Sequence, residues 1–331
     1  MNVDPELARW SDSAFQVAFA IYVLAMVMFA GQYATSRVRA SQERELAGVA
    51  AGASGASRSP GRSRTAPSRP AERTWFDKFG GMGYALVMLG AVFQLASIVL
   101  RGLSAGRFPL GNMYEFVSGM VLATVVGGLV FVRKPELRPL WIFILAPVVA
   151  LVFLAGTVLY ADSAPVVPAL KSFWLPIHVS LAVLGSGLFL VSGVASLMFL
   201  VRYALIEGRA EDSRPGGVRG RIASRLPEAR TLDRIAYRVT IVAFPIFGLG
   251  VILGAVWAEA AWGRFWGWDP KETMSFVTWV VYAAYLHARA TAGWRDVKAA
   301  WINVVGFLAI VFNLFFINMV VSGLHSYAGL N

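Results

Sequence analysis

The sequence predicts an all-α, polytopic membrane protein of about eight transmembrane helices with both termini outside. Three observations predict it. Hydrophobic residues make up 57% of the chain and charged residues only 15%, where a soluble domain is about a quarter charged. The apolar residues fall in runs of about 20, the length a helix needs to cross hydrocarbon. The basic residues between those runs are divided very unevenly between the two sides.

The runs are residues 14–34, 80–100, 112–132, 139–160, 177–201, 239–257, 272–288 and 299–322. The sixth contains Pro245, a residue that kinks helices and is tolerated inside membranes. Connecting segments alternate in side. One set, 34–79, 133–138, 202–238 and 289–298, holds 24 of the 30 Lys and Arg residues. The other set holds only Arg9, Arg101, Arg107, Lys171, Arg264 and Lys271. The basic set is therefore cytoplasmic. The net charge of +11 is loop charge attracted to the anionic lipid of the bilayer. It comes with no nucleic-acid motif, so nucleic acid is not an expected partner.

Residues 1–35 read as an N-terminal transmembrane anchor. Asp4, Glu6 and Asp12 precede the first run, and Arg37 and Arg39 follow it, which is the reverse of a cleaved signal peptide. Residues 36–74 are rich in Ala, Gly, Ser, Pro and Arg and read as a flexible cytoplasmic linker. Residues 75–331 form the main membrane domain. Residues 207–232, again bearing Arg, Gly and Pro, read as a second cytoplasmic loop. The chain has no cysteine. It therefore offers no disulfide framework and no thiolate site, and any thiol that reacts here comes from a partner.

Chemistry concentrates in one outer loop, 257–272, WAEAAWGRFWGWDPKE. It carries four tryptophans and three carboxylates between two apolar runs. An interfacial aromatic belt enriches Trp, but a belt does not require the spacing W-G-x-x-W-x-W-D. The end of the loop is a helix start: Asp269 as N-cap, Pro270 at the first helical position and Glu272 in the first turn. Asn112, Tyr114 and Glu115, near the start of the third run, are read equally well as interfacial residues or as support for a site. Glu259 has Arg264 as its nearest candidate partner.

The chain has three histidines. His178 opens the fifth run and His325 follows the eighth, so both lie at the outer surface. His287 lies at the cytoplasmic end of the seventh. A lone histidine at a helix end is ordinarily an interfacial polar group. Two of them flanking a tryptophan platform suit haem, which is flat, apolar over its faces and ligated by neutral imidazole. Zinc is the competing metal, but the sequence lacks the ligand spacing that zinc prefers. A bis-His electron carrier predicts paired histidines at matching depths. A transporter or channel predicts repeated halves with broken helices, and no repeat is present.

The segment WGRFWGWDPKE resembles the tryptophan-rich "WWD" signature of the haem-handling membrane proteins of c-type cytochrome maturation. FPLGNMYEF at 108–116, PALKSFWLPIHVSL at 168–181 and SGLHSYA at 322–328 resemble one branch, the CcsA/ResC-type subunit of the System II cytochrome c synthase. The resemblance covers roughly residues 75–331. It implies haem b, both substrate and bound ligand, on a platform of Trp262, Gly263, Trp266, Trp268 and Asp269. It further implies His178 and His325 as axial ligands of an outer haem, and His287 as a histidine for haem on its way outward. It implies a ResB/CcsB-like membrane subunit as partner and an apocytochrome c with reduced cysteine thiols as acceptor. The chain would then act in a holocytochrome c synthase, in the cytoplasmic membrane of a bacterium rather than a thylakoid. Arg264, Lys271, Arg101, Arg107 and Lys171 are candidate cations for the haem propionates, with Asn112, Tyr114, Glu115, Glu259 and Glu272 as candidate support. A System I haem-handling protein and a bis-His membrane electron carrier stand as alternatives.

The topology is testable directly. A reporter active only outside the cytoplasm should give signal when fused after Asn331 and none when fused at Gly216. Signal at Gly216 would overturn the span count and the outer placement of the Trp-rich loop.

Overall fold

The structure, a computed structural model, describes residues 3–54, 75–166, 170–208, 220, 223 and 225–325. Its helices are α1 (Pro5–Ser54), α2 (Trp75–Ala105), α3 (Met113–Phe131), α4 (Trp141–Thr157), α5 (Trp174–Arg202), α6 (Ala229–Trp262), α7 (Pro270–Ala290) and α8 (Val297–Met319). A 3-10 turn, Pro135–Leu140, leads into α4, and a π turn, Tyr203–Glu207, extends α5. No strand occurs among the described residues. Each of the predicted runs falls on one helix. Seven helices are long and apolar enough to cross a membrane. The exception is α7, which has the length, 21 residues, but not the hydropathy. It carries Lys271, Glu272, His287 and Arg289 within that length.

Helices pack as neighbours in sequence, α1 on α2, α5 on α6 and α7 on α8, with α5 also touching α3 and α8. In lipid there is no hydrophobic drive between helices, so close approach rests on small residues. Gly185 on α5 shows this: a Cβ there would lie 2.7 Å from the Phe247 Cβ and 3.0 Å from its Cα on α6. Only glycine lets the two backbones meet at this crossing. Pro245 lies inside α6, which continues through it from Ala229 to Trp262.

Two expectations change. The segment 36–74 was expected to be a linker throughout, but α1 continues through Ser54. The stretch up to Ser54 is rich in Ala, Arg and Glu, residues of high helix propensity, and this outweighs its few glycines. Residues 55–74 lie outside the described residues. The second change concerns the Trp-rich segment. Its first part, WAEAAW, is the last turn and a half of α6, because Ala and Glu favour helix and nothing stops it before Gly263. The irregular loop is 263–269.

The N-terminal helix is tied into the bundle by polar contacts. Ser11 Oγ donates to the Ser97 carbonyl at 2.8 Å. The Asp12 carboxylate accepts from Tyr160 at 2.9 Å and lies 3.4 Å from Arg101. Arg101, 2% exposed, also faces Glu115, 2% exposed, at 3.5 Å. Glu115 in turn holds Arg107 through two bonds, 2.8 and 2.9 Å, and accepts the Gly111 N–H at 2.6 Å. One buried carboxylate thus answers two guanidiniums and fixes the loop before α3.

Removing that carboxylate leaves Arg107 without its ion-pair partner and Arg101 with only its ion pair to Asp12. Glu115→Leu should cost about 3–5 kcal/mol, as for breaking a buried pair, read as a lower thermal midpoint of the detergent-purified protein. An unchanged midpoint would show that the cluster is solvated.

Candidate functional site

The end of the bundle that carries the Trp-rich loop opens into a cleft of about 1260 Å³, its mouth included. Its walls come from the loop before α3, from α5, α6 and α7, and from the end of α8. They are largely apolar, with Phe116, Val179, Phe247, Trp257, Trp262 and Phe265 among them. His178 and His325 both line it, although 147 positions separate them in the chain.

His178 stands near the start of α5. Its Nδ1 lies 2.7 Å from the Gly250 carbonyl on α6. A carbonyl only accepts, so Nδ1 carries the proton and the lone pair of the neutral ring falls on Nε2. The ring stacks on Trp257, with centroids 6.1 Å apart and planes 10° from parallel. Gly254 makes room, since a Cβ there would lie 2.6 Å from the imidazole Cε1. Gly250, Gly254, Trp257 and Ala258 follow the spacing of one helix face, so α6 presents a smooth wall against His178.

His325 is placed by a different device. Helix α8 ends at Met319, and the chain returns toward the start of α7. There the His325 Nδ1 lies 2.7 Å from Asp269 Oδ2. The neighbouring Leu324 N–H donates to Asp269 Oδ1 at 2.7 Å. A carboxylate accepts, so this imidazole too is protonated at Nδ1. The ring meets Trp262 and Trp257 edge-on, at 5.2 and 5.9 Å. Trp257 therefore touches both imidazoles.

Asp269 does this while capping α7. It accepts the Lys271 N–H at 3.2 Å, and Glu272 accepts the N–H groups of Asp269 and Gly267 at 3.1 and 2.9 Å, a reciprocal capping box. Burial pushes the Asp269 carboxyl up, but the hydrogen bonds from His325 and Leu324 outweigh it and hold it below its usual range. At Gly323 a Cβ would lie 2.6 Å from Asp269 Oδ1, so the returning chain approaches the carboxylate through a glycine.

Other expected site residues divide. Gly263 takes the left-handed conformation, φ 70°, that closes α6, and its N–H reaches the Glu259 carbonyl at 2.8 Å. The Glu259 side chain is exposed. Trp262 and Trp266 line the cleft. Trp268 does not. It is 68% exposed and stands in the left-handed region at φ 58°, which turns it outward, edge-on to Trp266. Asn112 lines the cleft and caps α3 by accepting the Glu115 N–H at 2.9 Å. Tyr114 is buried against Phe15 and Arg101. Arg101 and Arg107 are engaged by Glu115 and stand outside the lining, and Lys171 is exposed. Arg264 folds over Gly267, also off the lining. His287 does not line this cleft, and it is exposed on α7.

Phe116, Gly254 and Phe265 were not legible as site residues. Gly254 carried a signal, its four-residue spacing from Gly250 and Ala258. Among the described residues no three His, Cys, Asp or Glu side chains converge as metal ligands.

Residues 110–325 match the family described as Cytochrome C assembly protein. A cytochrome c biogenesis protein CcsA of Crocosphaera subtropica is 34% identical over 302 residues, spanning 77% of this chain and 89% of that one. Its counterparts in Gloeobacter violaceus and Guillardia theta are 33% and 31% identical, with 76% of this chain matched in each case and 87% and 86% of theirs. A solved structure of a cytochrome c haem lyase, CcmF, shares the fold at TM-score 0.59 and 15% identity. That alignment covers 95% of this chain and 47% of the longer CcmF chain. The chain is a multi-pass membrane protein and belongs to the cytochrome C assembly protein family, on its CcsA-type branch.

Proposed function

We propose that this chain binds haem b in the outer cleft and presents it for covalent attachment to an apocytochrome c, as one subunit of a System II synthase. The observation that carries the reading is the pair of imidazoles. Remote in sequence, they meet on one apolar cleft, each with Nδ1 engaged as a donor, so that Nε2 is the ring nitrogen to offer iron. A hydrogen bond at the far nitrogen fixes tautomer and orientation and raises ligand basicity. Gly250 does this for His178 with a neutral carbonyl, and Asp269 for His325 with a carboxylate.

The remaining residues suit the ligand. Trp257 and Trp262 offer broad apolar contact beside the ring positions, and Trp266 and Phe265 line the cleft toward the loop. Trp268, turned outward, is a contact for an incoming chain rather than for the porphyrin. Thioether formation joins the vinyl groups to cysteine thiols, which this chain lacks and the reduced apocytochrome supplies. The chain's own contribution is to hold the plane and edge of the ligand in one orientation.

His287 belongs to a separate position. It is exposed on α7, on the face that carries Ala283, Ala284, Ala290 and Thr291 at helical spacing. Small residues on such a face admit a neighbouring helix or a flat ligand. This supports a ResB/CcsB-like subunit there, supplying the second imidazole for haem on its way outward. The membrane is the bacterial cytoplasmic membrane, with the cleft on the outer side.

His178→Ala and His325→Ala should each lower covalent cytochrome c at least tenfold, the loss seen even when outer partners of a metal site are removed. Haem-stained gels of cells carrying each variant as their single copy measure it. Added imidazole should restore part of the product by filling the vacant axial position. Normal maturation in both variants would contradict the reading.

A further inference from the structure

Lys271 is the cation of the cleft. It is the second residue of α7 and lines the cavity wall. Its Nζ reaches the backbone carbonyl of Asn313 on α8 at 3.3 Å and lies 6.0 Å from the Phe116 ring centroid. That carbonyl is shared, since the Asn318 amide also donates to it at 3.2 Å. An ammonium has three donors and no acceptor, so one long, shared bond leaves most of its capacity unused.

Its surroundings hold no counter-charge within ion-pair distance. Two carboxylates stand close in sequence, and neither forms an ion pair with Lys271 among the described residues. Asp269 faces His325 and Leu324. Glu272 also lines the cleft, where its Oε2 accepts the N–H groups of Gly267 and Asp269 and its Oε1 is buried without a hydrogen-bond partner. The other cations once plausible for a ligand's acidic edge are accounted for, Arg101 and Arg107 by Glu115, and Arg264 by its fold over Gly267. A charged group in an apolar cavity is expensive unless it is paired. The positive end of α7 adds to the field at the same spot.

We propose that Lys271 forms an anion-binding subsite that takes a carboxylate of the bound ligand and so sets which edge of the ligand faces α7 and α8. The inference rests on the haem reading and deepens it: the carboxylate is a propionate, and Lys271 is the residue that turns the porphyrin. The Asn313 side-chain oxygen is buried without a partner beside it. It could accept from Lys271 when the ligand draws the ammonium off the Asn313 carbonyl.

The test is a titration of the detergent-purified full chain with ferric haem and with haem dimethyl ester, which lacks the acid charge, followed by the Soret band. Wild type should bind haem about tenfold to a hundredfold tighter than the diester, the range for a hydrogen bond to a charged group. In Lys271→Met the two should bind alike, at the wild-type diester affinity, and Lys271→Arg should keep the preference. A preference retained in Lys271→Met would place the anion-binding subsite elsewhere. Loss of both ligands in that variant would make Lys271 a structural residue and equally overturn the assignment. A wild type that shifts the Soret band of neither ligand would contradict the haem reading itself.

Discussion

The candidate site depends on one buried carboxylate. Asp269, 7% exposed, closes the irregular loop, caps α7, and receives both the Leu324 N–H and the His325 ring. Leu324 and His325 lie 55 and 56 positions from Asp269 in the chain. Without the carboxylate, the segment after α8 loses the bond to the Leu324 N–H, and His325 loses the acceptor that faces its Nδ1. Asparagine would keep an acceptor for the cap, but not the charge that makes the imidazole a stronger base. The same residue thus serves local helix formation, tertiary closure and the site's chemistry.

A second constraint is steric and lies on α6. Gly250 supplies the carbonyl that orients His178, and Gly254 leaves the space the ring occupies. Trp257, one turn further, stacks on that ring and meets His325 on another edge. A helix face with two glycines and a tryptophan is poorly suited to lipid contact and well suited to hold a flat imidazole. Because α6 runs unbroken to Trp262, the first two tryptophans of the segment 257–272 are set on a rigid element. The last two stand on the loop, and they diverge: Trp266 lines the cleft, and Trp268 turns outward.

Much of the fold was legible because membrane solvent imposes a single long period. The apolar runs each fall on one helix of the bundle. Even α7, too polar to count as a span by hydropathy, was found between its neighbours. Asp269, Pro270 and Glu272 announced the cap that starts it. Of the residues singled out by the Trp spacing and the histidines, Trp262, Trp266, His178 and His325 line one cleft. What sequence could not supply was partnership across helices. Arg101 and Arg107 looked like outer cations, but Glu115 holds both. Lys271 looked like one candidate among several, yet it alone of them lines the cavity. Phe116 and Gly254 carry no chemistry of their own, and only packing reveals them. The helix continuing to Ser54 was missed because glycine and serine in the segment outweighed its Ala, Arg and Glu in the reading.

The central claim is that two anchored imidazoles hold one ligand iron between them. Electron paramagnetic resonance of the ferric complex, purified with its co-expressed membrane partner, tests this most directly. The account predicts a low-spin, six-coordinate ferric signal typical of two nitrogen ligands. It predicts conversion to a high-spin signal when either His178 or His325 is replaced and the other kept. A high-spin wild type, or a low-spin signal that survives both replacements together, would contradict it.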